Sequence, residues 1–280
     1  MHILGSILNL LDSKMSVPAL YGWFHTLCFI ASILFGLMLY KRHPIASETF
    51  IRRLLLGVSV VVMMMEVYKQ INFSFHYDGS TISFDYQWYA FPFQFCSTPM
   101  YIGLLAALIK TKLVHERLCA YLATYSLFAG LCVMIYPTTV FIDTIGINIQ
   151  TMVCHGSMIT IGIYLLISGY VKTERKTITK AFPIFLALII IAIIMNEVAY
   201  QVGILESETF NMFFISPYCS PELPVYSMVQ QIAPFPLCVL VYIIAFTLAG
   251  CLLLSFFSFA NSIFHHFVPK KHRLHAFIHC

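Results

Sequence analysis

Seven long apolar runs constrain this 280-residue chain more than any other feature. They lie near 19–40, 53–73, 89–109, 117–137, 149–171, 181–201 and 233–258. A helix needs about 20 apolar residues to cross the hydrocarbon core of a bilayer. The runs are continuously apolar rather than alternating, which favours helices over a membrane β-barrel. Only 10% of the residues are charged and 60% are hydrophobic, whereas a soluble surface carries roughly 25–35% charge. The same balance excludes a disordered chain, a collagen and a small secreted disulfide framework. The expectation is an all-α polytopic membrane protein with seven transmembrane helices. Prolines interrupt the third run (Pro92, Pro99) and the seventh (Pro234, Pro236), and membrane helices tolerate proline where neighbours satisfy the freed carbonyls.

Positive charge orients these spans. Lys41, Arg42, Arg52 and Arg53 flank the first connection, and Lys110, Lys112 and Arg117 the third. Lys172, Arg175, Lys176 and Lys180 flank the fifth, and Lys270, Lys271 and Arg273 lie in the tail. Fourteen of the sixteen Lys and Arg therefore fall on one side. This places the N-terminus outside and the C-terminus in the cytoplasm. The chain reads as one domain, 1–280, with an interfacial segment at 1–17 and a basic cytoplasmic tail at 262–280. Residues 1–17 have no basic n-region of the kind a cleavable signal carries. The histidines of the tail match no metal-ligand spacing, and no metal, cofactor or nucleic acid is expected. Short loops fit a multi-pass protein of a bacterial plasma membrane.

Ionisable groups inside a bilayer are costly and mark function. At 1.5 Å per helical residue, they fall at one depth, roughly 5–12 Å below the outer hydrocarbon boundary. Glu66, Lys69, Gln70 and Asn72 end the second run. Gln94 and Cys96 begin the third, His155 sits early in the fifth, and Asn196, Glu197 and Gln201 end the sixth. Glu66 and Lys69 are three apart and share a helix face, which also suits a purely structural ion pair. A thiol and an imidazole at one height form the smallest nucleophile and base pair. Cys96 and His155 are thus the candidate catalytic residues, with Glu66, Lys69, Gln94, Asn196 and Glu197 in support. Cys154, next to His155 but about 100° around its helix, is expected to be inert. A cavity at this level, opening sideways to the outer leaflet, would let a thiolate reach a lipid ester.

The residues around Cys96 and His155 also carry a resemblance. Phe91-Pro92-Phe93-Gln94-Phe95-Cys96 is similar to the Leu-Pro-Leu-His-Leu-Cys signature of the bacterial YwaF-type integral membrane family. Cys154-His155-Gly156 resembles that family's His-Gly span start. The arrangement is also similar to that of the eukaryotic seven-span acyltransferases of ether phospholipids, through Glu66-Val67 and through Asn211-Met212 ahead of Pro217. The resemblance covers most of residues 18–260. It implies Cys96 as acyl carrier and His155 as the matching histidine, with a membrane phospholipid or lysolipid as partner. Gln94 and Ser97 stand where the relatives have histidines, which leaves His155 as the base. On the residues alone two other readings stay open. One is a proton-coupled small-molecule transporter using the Glu66, Lys69, His155 and Glu197 layer; the other is a seven-span receptor or scaffold. The orientation has a direct test: an impermeant thiol reagent should label engineered cysteines at 74–88 and 202–232 on intact cells. Labelling at 172–180 from outside would refute it.

Overall fold

The computed structural model describes residues 2–137, 140–204, 209–220 and 223–267. The tail histidines and basic residues beyond Phe267 lie outside the described residues. The chain is mostly helical: α1 His2–Leu11, α2 Trp23–Arg42, α3 Glu48–Ser74, α4 Thr98–Leu108, α5 Lys112–Tyr121, α6 Leu127–Ile135, α7 Ile145–Ile167, α8 Arg175–Gln201, α9 Pro224–Gln230 and α10 Phe235–Phe267. A π-helical turn, Leu122–Ser126, joins α5 to α6 without a break, so they form one rod, Lys112–Ile135. Among the described residues, five helical stretches are long and apolar enough to cross a membrane: α2, the α5–α6 rod, α7, α8 and α10 as far as Ser262.

The two remaining apolar runs behave differently. The second is α3, 27 residues long and begun by Ser47, whose hydroxyl accepts from Phe50 N–H. That length spans a bilayer, but its charged ends dilute the apolar character. The third run is not one helix. Its first half is irregular, and only Thr98–Leu108 is α-helical, a length of about 16 Å at 1.5 Å per residue. Proline explains where the break falls. Pro92 has no N–H to give to a helix. Pro99 sits in the first turn of α4, where a missing N–H costs nothing, and so marks the start.

α7 is the hub of the bundle. α2 and α6 pack on it, α3 reaches it, and α3 also packs on α4. α5 and α10 lie against α8. Close approach at α7 depends on small residues, as is usual between membrane helices. A Cβ on Gly162 would stand 2.5 Å from Leu127 Cβ, and one on Gly130 would meet Met158 Cβ at 2.9 Å. Across the α2 face, Thr160 Oγ1 donates to the Ser32 carbonyl at 2.8 Å.

The chain also folds back over one end of the bundle. Residues 75–77 and 82–84 make an antiparallel hairpin in the register Phe75 to Phe84. Tyr68 Oη donates to the Leu11 carbonyl at 2.7 Å, tying α1 to α3. Lys14 pairs with Asp12 at 3.0 Å and with Asp143 at 3.3 Å, and the two carboxylates raise the pKa of its ammonium. α1 leaves Ile3, Leu4, Ile7 and Leu10 exposed, one stripe of a helix lying across the bundle end.

The α6–α7 contact yields a stability prediction. Gly162→Val should destabilise the protein by about 1–3 kcal/mol, the usual effect of overpacking. Gly57→Ala should be harmless, since nothing lies within 4 Å of the added carbon. Thermal unfolding in detergent compares them, and equal midpoints would show that the contact yields without strain.

Candidate functional site

The site begins with a buried ion pair. Glu66 and Lys69 approach to 2.7 Å on one face of α3, with both side chains largely shielded. Shielded charges need further hydrogen bonds to offset desolvation. Gln70 Nε2 donates to Glu66 Oε1 at 2.8 Å and to the Ala90 carbonyl at 2.8 Å. Gln150 Nε2 reaches Glu66 Oε2 from α7 at 3.4 Å. The Glu66 carboxylate therefore joins α3 to α7, and Gln70 joins α3 to the irregular first half of the third run.

Below this pair lies a small cavity of about 30 Å³ among α3, α4, α7 and the π-helical turn. Cys96 and Cys154 stand in its wall with three hydroxyls, Ser59, Ser126 and Ser157. It can hold a water molecule or two but not a lipid chain. A wider groove of about 280 Å³ runs outside it between α2 and α7, lined by Phe24, Phe35 and Met152 among others. Ser157 borders both spaces.

Cys96 immediately precedes Ser97, the N-cap of α4. It therefore stands just before a helix N-terminus. Glu66 and Lys69 both lie within electrostatic reach of the Cys96 and Cys154 thiols, and Lys69 of the His155 imidazole. The group found against Cys96 is Cys154, whose thiol donates to the Cys96 carbonyl at 3.5 Å. His155, one residue further round α7, is buried and places Nδ1 2.8 Å from the Thr151 carbonyl. A carbonyl can only accept, so Nδ1 carries the proton and Nε2 keeps the lone pair. No hydrogen bond joins His155 to Cys96 among the described residues.

The other candidates divide. Gln94 and Asn196 do not face the ion pair; they clamp a loop. Gln94 Nε2 donates to the Asn211 carbonyl at 3.0 Å, and its Oε1 accepts from Phe213 N–H at 3.2 Å. Asn196 Nδ2 donates to the Met212 carbonyl at 3.1 Å, and its Oδ1 accepts from Met212 N–H at 2.8 Å. The loop so held, Phe210–Ser216, is almost entirely buried apart from Phe214. Phe213 and Phe214 take left-handed backbone at φ 60° and 57°, uncommon for bulky residues. Phe213 stacks on Phe95, beside Cys96, at 5.2 Å. Glu197 lies apart from the cluster. It points outward from α8 to Tyr218 Oη and to Gln201 Nε2, instead of meeting Lys69 or His155.

The structure thus gathers Glu66, Lys69 and Cys96, with His155 on the adjoining turn, and sends Gln94, Asn196 and Glu197 elsewhere. Sequence reading missed Gln150 and Cys154 as members of the cluster. Their spacing of four puts both on one face of α7, and that face continues to Met158 and Ile161 in the same cavity wall. A family model described as the TMEM164 family matches residues 18–257. No curated protein and no solved structure matches the chain.

The buried pair supplies the test for this site. Lys69→Met should cost about 3–5 kcal/mol, because it leaves a buried carboxylate without its partner. Adding Glu66→Leu should recover most of that loss. A double variant as unstable as the single one would mean the destabilisation comes from packing and not from charge.

Proposed function

The chain belongs to the TMEM164 family, and from that premise we propose a membrane-embedded acyltransferase that crosses the bilayer seven times and moves a fatty acyl group between membrane lipids through a Cys96 thioester. The half-length α4 and the irregular half before it together make up the third crossing. What carries the reading is the position of Cys96: a thiol at the N-terminus of a broken membrane helix, on an internal cavity, with a buried lysine in electrostatic reach. A thiol of purely packing value has no need of that setting. Phe91–Cys96 and Cys154–Gly156 resemble the YwaF-type signature, and the similarity of that arrangement to the eukaryotic ether-phospholipid acyltransferases supports the same assignment.

The steps follow from the groups present. The Cys96 thiol gives its proton to a base and attacks an ester carbonyl of a phospholipid. The carbonyl–oxygen bond breaks, a lysophospholipid leaves with the proton, and Cys96 holds the acyl group as a thioester. The hydroxyl of a second lysolipid then attacks the thioester, and the sulfur regains a proton. His155 serves as the base through its unprotonated Nε2, which must swing towards Cys96 when substrate opens the cavity; catalytic hydrogen bonds commonly tighten only in the substrate complex. Scarcity of water at this depth favours transfer over hydrolysis. The α2–α7 groove, apolar and bordering the cavity at Ser157, supplies the route for the acyl chain.

Cys96→Ala should abolish acyl exchange between phospholipid and lysophospholipid by the purified protein in liposomes, read by mass spectrometry. His155→Gln should slow it by about 10²–10⁴-fold, the usual contribution of a general base. An intact-mass adduct lost on Cys96→Ala would identify the thioester. If both variants keep full activity while Glu66→Gln loses it, the thiol mechanism is wrong, and proton flux through the polar layer becomes the better reading.

A further inference from the structure

A second concavity lies at the opposite, basic end of the bundle, far along the chain from Cys96. It is a groove of about 920 Å³ between the start of α8 and the end of α10, within the range of a small-molecule site. Its two sides differ in chemistry. Ile178 and Leu254 are buried beneath it, and Phe259 extends the apolar side along α10. Arg175, Ser258 and Ser262 line the polar side. Ser255, Ser258 and Ser262 recur at intervals of three and four, so they share one face of α10.

The stretch that opens α8 carries excess positive charge. Arg175 and Glu174 line the groove itself, and Lys172 and Lys176 flank them in the sequence. Lys172, Arg175 and Lys176 have no carboxylate partner among the described residues, whereas Lys180 is engaged by Glu116 at 2.7 Å. Glu174 is also the N-cap of α8, and its side chain makes no capping bond. The N-terminal amides and dipole of a helix whose apolar body spans the membrane add to the positive field there. The chain's own tail is a poor occupant by the same argument. From Val268 to Cys280 it carries Lys270, Lys271 and Arg273 and no acid.

We propose that this groove binds an anionic membrane phospholipid, its phosphate held by Arg175 and the hydroxyls of Ser258 and Ser262, and an acyl chain lying over Ile178, Leu254 and Phe259. The amphipathic lining decides for a lipid over a soluble phosphate. A soluble anion would use the polar side only and leave Ile178, Leu254 and Phe259 uncovered. Basic recesses between membrane helices on the Lys- and Arg-rich side hold lipid headgroups by the same physics. The site stands apart from Cys96 and does not depend on the acyl-transfer reading.

The test uses the full-length protein reconstituted in phosphatidylcholine nanodiscs with a small fraction of phosphatidic acid. After mild extraction, native mass spectrometry counts the lipids retained. Wild type should keep phosphatidic acid in preference to phosphatidylcholine. Arg175→Gln should lower that retention about fivefold, the effect of about one surface charge, and Ser258→Trp should lower it by filling the groove. Arg175 is exposed, so neither fold nor elution should change. Lys112→Gln, a basic-end lysine outside the groove, should leave retention as in wild type. Equal loss with Lys112→Gln would reduce the effect to diffuse surface charge and overturn the site. A thermal shift from inorganic phosphate as large as that from the lipid would overturn the lipid as ligand. Retention that rises when Lys270, Lys271 and Arg273 are changed to Gln, with no response to Arg175→Gln, would assign the groove to the tail and overturn the proposal.

Discussion

Backbone that leaves a helix within a packed apolar bundle must find its hydrogen bonds elsewhere, and the rest of this structure depends on how residues 91–97 meet that demand. Each buried amide or carbonyl left bare costs several kcal/mol. The chain answers with side chains from three directions. Gln70 takes the Ala90 carbonyl from α3. Thr98 Oγ1 caps the Phe95 carbonyl at 3.0 Å and meets Tyr121 Oη from α5 at 3.1 Å. Local turns close the remainder, with Ser97 and Thr98 N–H both donating to the Gln94 carbonyl. The other end of α4 is treated alike. Arg52 donates to the carbonyls of Ala106, Ala107 and Ile109, and His115 Nδ1 meets the Ala106 carbonyl at 2.7 Å. A short helix pinned at both ends has a fixed N-terminus, and a fixed N-terminus is what gives Cys96 a defined electrostatic setting.

The same constraint explains which polar residues were legible from sequence and which roles were not. Depth along a helix follows from counting residues, so the layer holding Glu66, Lys69, Cys96 and His155 could be located from spacing alone. The Glu66–Lys69 pair follows from its spacing of three and stands in the structure. Rotation between helices does not follow from counting. Gln94 and Asn196 lie at the right depth, yet they serve backbone that arrives from the loop at 210–216, and nothing in the apolar pattern of that loop announces that it dips into the bundle. Residue counting alone makes Cys154 the inert neighbour and His155 the partner of Cys96. The structure turns α7 so that Gln150 and Cys154 face α3 and the Cys96 carbonyl. The i, i+4 repeat held that information, but only once one of its members had a known partner.

Span three shows a similar limit. Its apolar content is sufficient for a crossing, and two prolines were visible as interruptions. Hydropathy sums composition without regard to geometry, so it cannot tell a kinked helix from one broken into an irregular half and an α-helical half. The deciding detail is local: Pro92 and Pro99 lie seven apart, and the segment between them closes only isolated turns, with Ser97 and Thr98 N–H on the Gln94 carbonyl, before α4 begins. A proline near a helix start is accommodated; one a full two turns earlier leaves the intervening backbone to be satisfied by neighbours.

These features converge on the strained loop. Phe213 and Phe214 hold left-handed backbone only because Gln94 and Asn196 fix the groups on either side, and such strain persists where the surroundings over-determine it. Phe213 in turn lies on Phe95, one residue before Cys96. The loop, the broken helix and the thiol therefore form one mechanical unit: the clamp that satisfies the irregular backbone also sets the position of the aromatic pair beside Cys96. Opposite it, the π-helical turn of the α5–α6 rod presents Leu122 and Ser126 to the cavity. π-turns insert an extra residue per turn and are frequent at functional sites. A bundle of straight helices closes around its core. Here two departures from regular helix, one on each side of Cys96, leave a space between α3, α4 and α7 that regular packing would have filled.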